Sequence, residues 1–273
     1  MATSVCSTRG DAVAMACWAH VLAGRYDAVL ATFDAYVAGL RPGEPEGFYP
    51  FPHQLATIAA RTAGRWDDAL RVTDRVLELT TGDHRGPVPP IVIQCYAAAG
   101  YVAAARLDQA RLQRYRAACA QPLEGATEDA PVRRAYRAVF EEDAESALRS
   151  LETATTTSIL AGQSLMLLLF EHDLLVPEAL LARIEGAGVG RAGIATERIA
   201  LIRAVRSGPA ALRVAIGSLE RAGIHGDVPR AAGLLARLTG DPADRADAER
   251  RLKAIGDLAY LARLGERAEL RES

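Results

Sequence analysis

The chain has 273 residues, of which 50% are hydrophobic, and its 32 basic and 34 acidic residues give a formal net charge of -2. A chain of this length and hydrophobic content can bury a large core, which excludes an intrinsically disordered protein. The two signs of charge are interspersed, so the one-sided positive field that phosphate binding demands is missing and direct nucleic-acid binding is disfavoured.

The first predicted element is a helix that includes residues 12–23. This apolar stretch resembles the hydrophobic region of a signal peptide, but Trp18 and His20 at helical spacing favour an ordinary first helix. The most apolar run, Ile159 to Phe170, is interrupted by polar residues and is far shorter than the ~20 residues that a membrane-spanning helix needs. We therefore expect no membrane segment and a cytoplasmic location.

A short segment recurs along the chain with a period of about forty residues. Gly24-Arg25-Tyr26-Asp27 returns as Gly64-Arg65-Trp66-Asp67, and a third copy reads Ala105-Arg106-Leu107-Asp108. A fainter fourth copy begins at Asp143. Each copy lies between alanine- and leucine-rich segments whose apolar residues recur with a period of about 3.6, which predicts a helix, a tight turn and a second helix.

The residue types of the repeated segment suit such a turn. A glycine such as Gly64 permits the left-handed backbone that ends a helix. An aspartate such as Asp67 lies in the first turn of the next helix, where free backbone amides favour a carboxylate. The small residues Ala69 and Ala110 are expected to let the two helices approach closely.

This segment resembles the tetratricopeptide repeat, whose second helix opens with an aromatic residue and an aspartate, with a small residue three places after the aromatic. Tyr26, Trp66 and Leu107 match the aromatic position, with leucine as a substitution in the third copy. Pro122 falls where the family ends its repeat. The spacing in this chain exceeds the family's period of about 34 residues, which indicates extra residues in the loops between repeats.

The resemblance implies an all-α fold, a right-handed α-solenoid of about seven antiparallel helix hairpins, because stacked neighbours must bury the apolar face that one repeat leaves open. We expect one domain over residues 1–273. The repeats are clearest over residues 11–156, and degenerate helical hairpins follow over residues 157–273. The best strand candidate, Val88 to Ile93, runs directly into a helical pattern.

The segment from Leu219 to Pro242 is similar in residue composition to the tetratricopeptide arrays of large actinobacterial regulators, the LuxR- and MalT-like ATPase regulators. In those proteins the repeats act as the sensor between a nucleotide-binding module and a helix-turn-helix. Neither flanking module is found in this sequence, so the resemblance implies only a sensing and docking role.

In a tetratricopeptide array the first helix of each pair lines the concave surface, and the resemblance therefore implies a set of groove positions here. These are Asp11, Trp18, Phe51, Gln54, Arg61, Cys95 and Tyr136. Aromatic rings would supply buried area for an extended peptide or a partner helix, and polar groups would fix its register. The alternative, that some of these residues belong to the core, stays open.

Residues 48–54 form a proline-rich, aromatic insertion between the first two repeats. Phe48, Tyr49 and His53 are candidates for a ligand lid or a partner anchor in this loop. The alternative is a hydrophobic plug that covers the helix ends.

Catalytic signatures are absent or lack their context. Gly188 to Gly193 satisfies G-x-G-x-x-G, but a helical pattern precedes it where a dinucleotide site needs a strand. Lys253, the only lysine, lacks the glycine loop that cradles phosphates, and His172 is expected to cap the C-terminus of an apolar helix. The four scattered cysteines indicate reduced thiols. We expect no cofactor, no metal and no catalytic residue.

These observations favour a non-enzymatic scaffold that binds a protein or peptide in its groove, in a regulatory or assembly role. The alternative is a helical small-molecule sensor or enzyme that uses the concave cavity, with a place in actinobacterial secondary metabolism as a further hypothesis. His53, His20 and Glu171 motivate this alternative. Whether the chain forms a homodimer stays open.

Overall fold

The computed structural model describes residues 5–40, 50–81, 90–120, 144–153, 165–186 and 193–272. Nearly all of these residues are helical. Two strands of two residues each, β1 (Leu174–Leu175) and β2 (Arg271–Glu272), pair in parallel. The prediction of an all-α fold is confirmed.

The first six helices form three consecutive pairs. They are α1 (Val5–Leu22) with α2 (Tyr26–Ala38), α3 (Pro50–Thr62) with α4 (Trp66–Thr81), and α5 (Pro90–Ala105) with α6 (Gln109–Cys119). The first helices of neighbouring pairs pack on one another, α1 on α3 and α3 on α5. The second helix of each pair also packs on the first helix of the next, which leaves α3 buried on almost every side.

Further helices follow along the chain. They are α7 (Ala144–Thr153), the helical residues 165–170, α8 (Glu178–Gly186), α9 (Gly193–Ser207), α10 (Pro209–Arg221), α11 (Val228–Thr239), α12 (Pro242–Ile255) and α13 (Leu258–Arg263). Helix α9 packs on α10, α11 on α12, and α13 on both α11 and α5. The number of hairpins and the handedness of a solenoid stay predictions.

The predicted turns after α1 and α3 are confirmed. Gly24 and Gly64 have φ values of +68° and +79°, in the left-handed region that favours glycine. In the turn after α1, the Arg25 amide donates to the carbonyl of His20, and in the turn after α3 the Arg65 amide donates to the carbonyl of Ala60. These bonds satisfy carbonyl groups that the helix end would otherwise leave free.

The predicted register of the third copy is wrong by two residues. Leu107, placed by the sequence at the aromatic position, has φ +58° and is exposed. The Asp108 amide donates to the carbonyl of Ala103, so Leu107 stands in the turn where the first two copies have glycine. Asp108 accepts a hydrogen bond from the Arg111 amide as the N-cap of α6. Ala110 is exposed and does not permit the close helix approach expected of it.

The turns of the first three helix pairs meet the turns of the C-terminal helices, along a contact that we call the seam. Gly24 lies against Gly223, in the turn between α10 and α11. The Gly226 amide donates to the carbonyl of Thr62 at 2.8 Å. The Arg106 guanidinium donates to the carbonyl at the end of α12, at 3.3 Å. The seam therefore joins parts of the chain that are far apart in the sequence.

Candidate functional site

The predicted groove residues fall into two groups. Trp18 and Phe51 are partly exposed, with ring centroids 6.4 Å apart, and Asp11 is fully on the surface. The buried group comprises Gln54, Arg61 and Cys95. Tyr136, the seventh predicted position, lies outside the described residues.

The C-terminal part of the chain covers Arg61, one of the predicted groove residues. The Arg61 guanidinium lies 3.5 Å from the carboxylate of Asp227, which directly precedes α11. The same guanidinium stacks on the ring of Tyr101, 4.3 Å from its centroid. Here the predicted groove is filled by α11.

Arg61 belongs to a chain of stacked and ion-paired side chains that we call the buried polar column. Arg198 Nε donates to Asp227 at 2.7 Å, and the Arg230 guanidinium also stacks on the ring of Tyr101, 4.5 Å from its centroid. The remaining contacts of the column are those of Arg61 with Asp227 and Tyr101, and the ion pair of Arg230 with Asp257. It thus runs from α9 across α3 and α5 to α13.

Burial dominates the electrostatics of Arg61 and Tyr101 in the column. It lowers the pKa of the Arg61 guanidinium, against the attraction of Asp227. It also raises the pKa of the Tyr101 hydroxyl, although Arg230 and Arg61 flank the ring. Arg61 Nε and Arg198 Nη2 are buried and hydrogen-bond to no described residue. Arg61 and Arg198 therefore share the single carboxylate of Asp227.

The aromatic insertion differs from the prediction. Helix α3 begins at Pro50, so Phe51 and His53 belong to a helix and not to a loop. His53 is buried and packs edge-to-face on Phe33 of α2, with centroids 4.9 Å apart. Phe48 and Tyr49 lie outside the described residues.

A surface that the sequence analysis did not single out lies on α1. The charged residues Arg9 and Asp11 are exposed near the start of α1, and beyond them its outward side, which we call the α1 face, consists of apolar side chains. They are Ala12, Met15, Ala16, Ala19, Leu22 and Ala23, and all of them are exposed. Met15 is 64% exposed and Leu22 46%. The signal was the apolar stretch itself, residues 12–23, in which His20 is the one basic residue and which has more apolar positions than a one-sided contact with α2 and α3 requires.

The outward side of α4 is that of an ordinary solvated helix, and it differs clearly from the α1 face. Charged side chains occupy it from Asp67 to Glu78, and they pair with one another and with neighbouring helices. Between Asp11 and Arg25, by contrast, no Asp, Glu, Lys or Arg occurs. An exposed helix face without charge is typical of an interaction surface.

Two neighbouring clefts open along the seam. The larger has a volume of about 460 Å³ and includes Leu22, Tyr26 and Glu197 in its lining. The smaller, of about 270 Å³, lies beside Val228. His225 lines both clefts and is exposed.

The described residues also bear on metal binding and membrane insertion. No group of three or more His, Cys, Asp or Glu side chains there is placed to hold a metal ion. None of the helices in these ranges is long and apolar enough to cross a bilayer. Residues 188–192 of the G-x-G-x-x-G segment lie outside the described part of the chain, and the element described before it, α8, is a helix.

We expect Cys95 to resist alkylation in the native protein. Burial raises the pKa of its thiol to about 12, and that of Cys17 to about 11. Because the thiolate is the reactive form, N-ethylmaleimide at pH 8 should label Cys95 on the order of a hundredfold more slowly in the folded than in the unfolded chain. Mass spectrometry after timed quenching measures this rate.

The control is Val214→Cys, because Val214 is 70% exposed on α10 and a thiol there should react at once. Rapid labelling of native Cys95 would contradict the closed inner surface and would favour an open groove instead.

Comparison of the chain with protein-family models, with curated proteins and with solved structures gave no match.

Proposed function

We propose that the chain is a non-enzymatic cytoplasmic scaffold that binds another protein, in a regulatory or assembly role, and that the α1 face is its docking surface. The observation that carries the proposal is the exposure of Met15 and Leu22 on a helix face without charged residues. Burying a side chain of this type contributes roughly 1.5–3 kcal/mol to association.

The α1 face is a better candidate than the predicted groove. Arg61 and Cys95 are buried, so a peptide could reach them only after α11 had moved away. The α1 face needs no such rearrangement. A partner helix that lays its apolar side on it would use a recurrent mode of protein recognition.

A capture experiment from the source cells tests the proposal. The chain should recover a partner, and Met15→Glu with Leu22→Glu should lower the recovery about tenfold or more, since two anchors would be replaced by charges. The matched control is Val214→Glu, which alters an equally exposed apolar residue on α10 and should leave recovery unchanged. If the variant with Met15→Glu and Leu22→Glu recovered as much partner as Val214→Glu, the proposal would be contradicted. Turnover of a small molecule by the chain, with no partner recovered, would contradict it as well.

The larger seam cleft favours a second candidate, a small-molecule sensor. Its volume of about 460 Å³ lies within the range of ligand pockets. The predicted alternative used His53 and Glu171, but His53 packs on Phe33 and Glu171 pairs with Arg230. A metabolite that raises the melting temperature, with loss of the shift in His225→Ala, would support this candidate over the scaffold.

A further inference from the structure

An acidic and a basic residue lie just beyond opposite ends of the α1 face. Arg9, a further exposed charged residue of α1, donates a hydrogen bond to the carbonyl of Gly39. Asp11 lies in the first half of α1, and Arg25 lies in the turn just beyond its last residue. Both side chains are exposed. Neither forms an ion pair with any residue that the structure describes. These two charges are therefore available to a partner.

The alanines of the α1 face are arranged so that reversing the helix reproduces them. A twofold rotation that reverses the direction of α1, centred between Cys17 and Trp18, exchanges Ala12 with Ala23. It also exchanges Ala16 with Ala19. Alanine at these positions lets two helix backbones approach closely, while the longer Met15 and Leu22 flank the contact.

The same reversal brings opposite charges together. In an antiparallel pair of α1 helices, Asp11 of each copy lies beside Arg25 of the other copy. A parallel pair would instead set Asp11 against Asp11 and Arg25 against Arg25, which is unfavourable. The charges and the alanines thus select the same arrangement.

We infer that the occupant of the α1 face is the α1 face of a second copy of this chain, packed antiparallel about a twofold axis. This inference rests on the proposed docking role of that face and names its partner. A twofold axis makes every contact twice, so the interface contains two Asp11–Arg25 ion pairs and two copies of each apolar anchor.

Sedimentation velocity of the purified full-length chain tests the dimer. The wild-type chain should sediment as a dimer at micromolar concentration, and Met15→Glu should convert it to a folded monomer, with an unchanged circular dichroism spectrum. Val214→Glu should remain dimeric, because Val214 lies on α10 and outside the α1 face.

A charge exchange tests the antiparallel geometry. Asp11→Arg and Arg25→Asp should each weaken the dimer roughly tenfold, since each replaces two attractions by two repulsions. Mixing the two variants in equal amounts should restore the wild-type affinity as a heterodimer, because each copy then offers the charge that the other lacks. The double variant should also regain it.

The outcomes separate this inference from the docking proposal. A wild-type chain that stays monomeric at about 100 μM, far above the Kd of a micromolar dimer, would overturn the inference alone. Capture of a different protein that depends on Met15 would then still support the docking role. A dimer that survives Met15→Glu would overturn the inference by placing the contact elsewhere. Failure of the mixed variants to pair would overturn the antiparallel arrangement.

Discussion

Replacing Gly226 by alanine should destabilise the protein by about 3–5 kcal/mol, through overpacking and a lost backbone hydrogen bond. A Cβ atom at this position would lie 1.9 Å from the carbonyl oxygen of Arg61, a backbone atom that cannot swing aside. The seam would have to open there, and the Gly226 amide would lose its bond to Thr62. Urea unfolding followed by circular dichroism measures the change in the free energy of unfolding.

Gly217→Ala provides the matched control. Gly217 lies inside α10, and a Cβ there would come no closer than 3.4 Å to the flexible Arg221 side chain. Alanine in a helix interior is expected to raise the free energy of unfolding by roughly 0.5–1 kcal/mol relative to glycine. If Gly226→Ala unfolded at the same urea concentration as the wild type, the close contact of α3 with the turn before α11 would be wrong.

The second large effect is expected from Asp227→Ala, at about 3–5 kcal/mol of lost stability. Arg61 and Arg198 would keep their charges in the protein interior with no carboxylate beside them, since both now share Asp227. Globular proteins are stable by only about 5–15 kcal/mol, so this variant should lie close to its unfolding midpoint in dilute buffer. Thermal unfolding at neutral pH detects the loss.

An exposed ion pair serves as the control for Asp227. Asp34 contacts Arg71 at 3.3 Å on the surface, and Asp34→Ala should change the free energy of unfolding by less than about 1 kcal/mol. A triple variant, Arg61→Met, Arg198→Met and Asp227→Leu, should recover most of the stability, because it removes the buried charges together. Equal stability of the wild type and Asp227→Ala would contradict the buried ion pairs of Asp227 with Arg61 and Arg198.

The turns and helix starts could be predicted from the sequence because residues within the turns themselves determine them. Gly24 and Gly64 have the backbone angles that their turns require, and the acidic residues after them lie in the first turn of the next helix. The register of the third copy was predicted wrongly because its residues were aligned with the first two copies by identity alone, without their backbone conformation. Leu107 adopts a left-handed φ without being glycine, which shifts the turn by two residues.

The periodicity of the sequence could not show whether the predicted groove residues are open to solvent or covered by the rest of the chain. Positions such as Arg61 were assigned to a groove by analogy with an open array, and nothing near Arg61 in the sequence indicates that Asp227 will cover it. The α1 face had a visible signal, the unbroken apolar stretch, but the same pattern is typical of a fully buried helix. Only the packing of the neighbouring helices distinguishes the two.

The buried polar column also has a consequence for how the polypeptide is made. Arg61 and Asp227 are 166 residues apart, and a ribosome adds about 5–20 residues per second, so the arginine emerges roughly ten to thirty seconds before its counter-ion. Throughout that interval the nascent N-terminal hairpins must leave Arg61 in water and the rings around it uncovered. Chaperones that recognise uncovered aromatic side chains are therefore expected to engage the growing chain, and to release it once α11 has been synthesised.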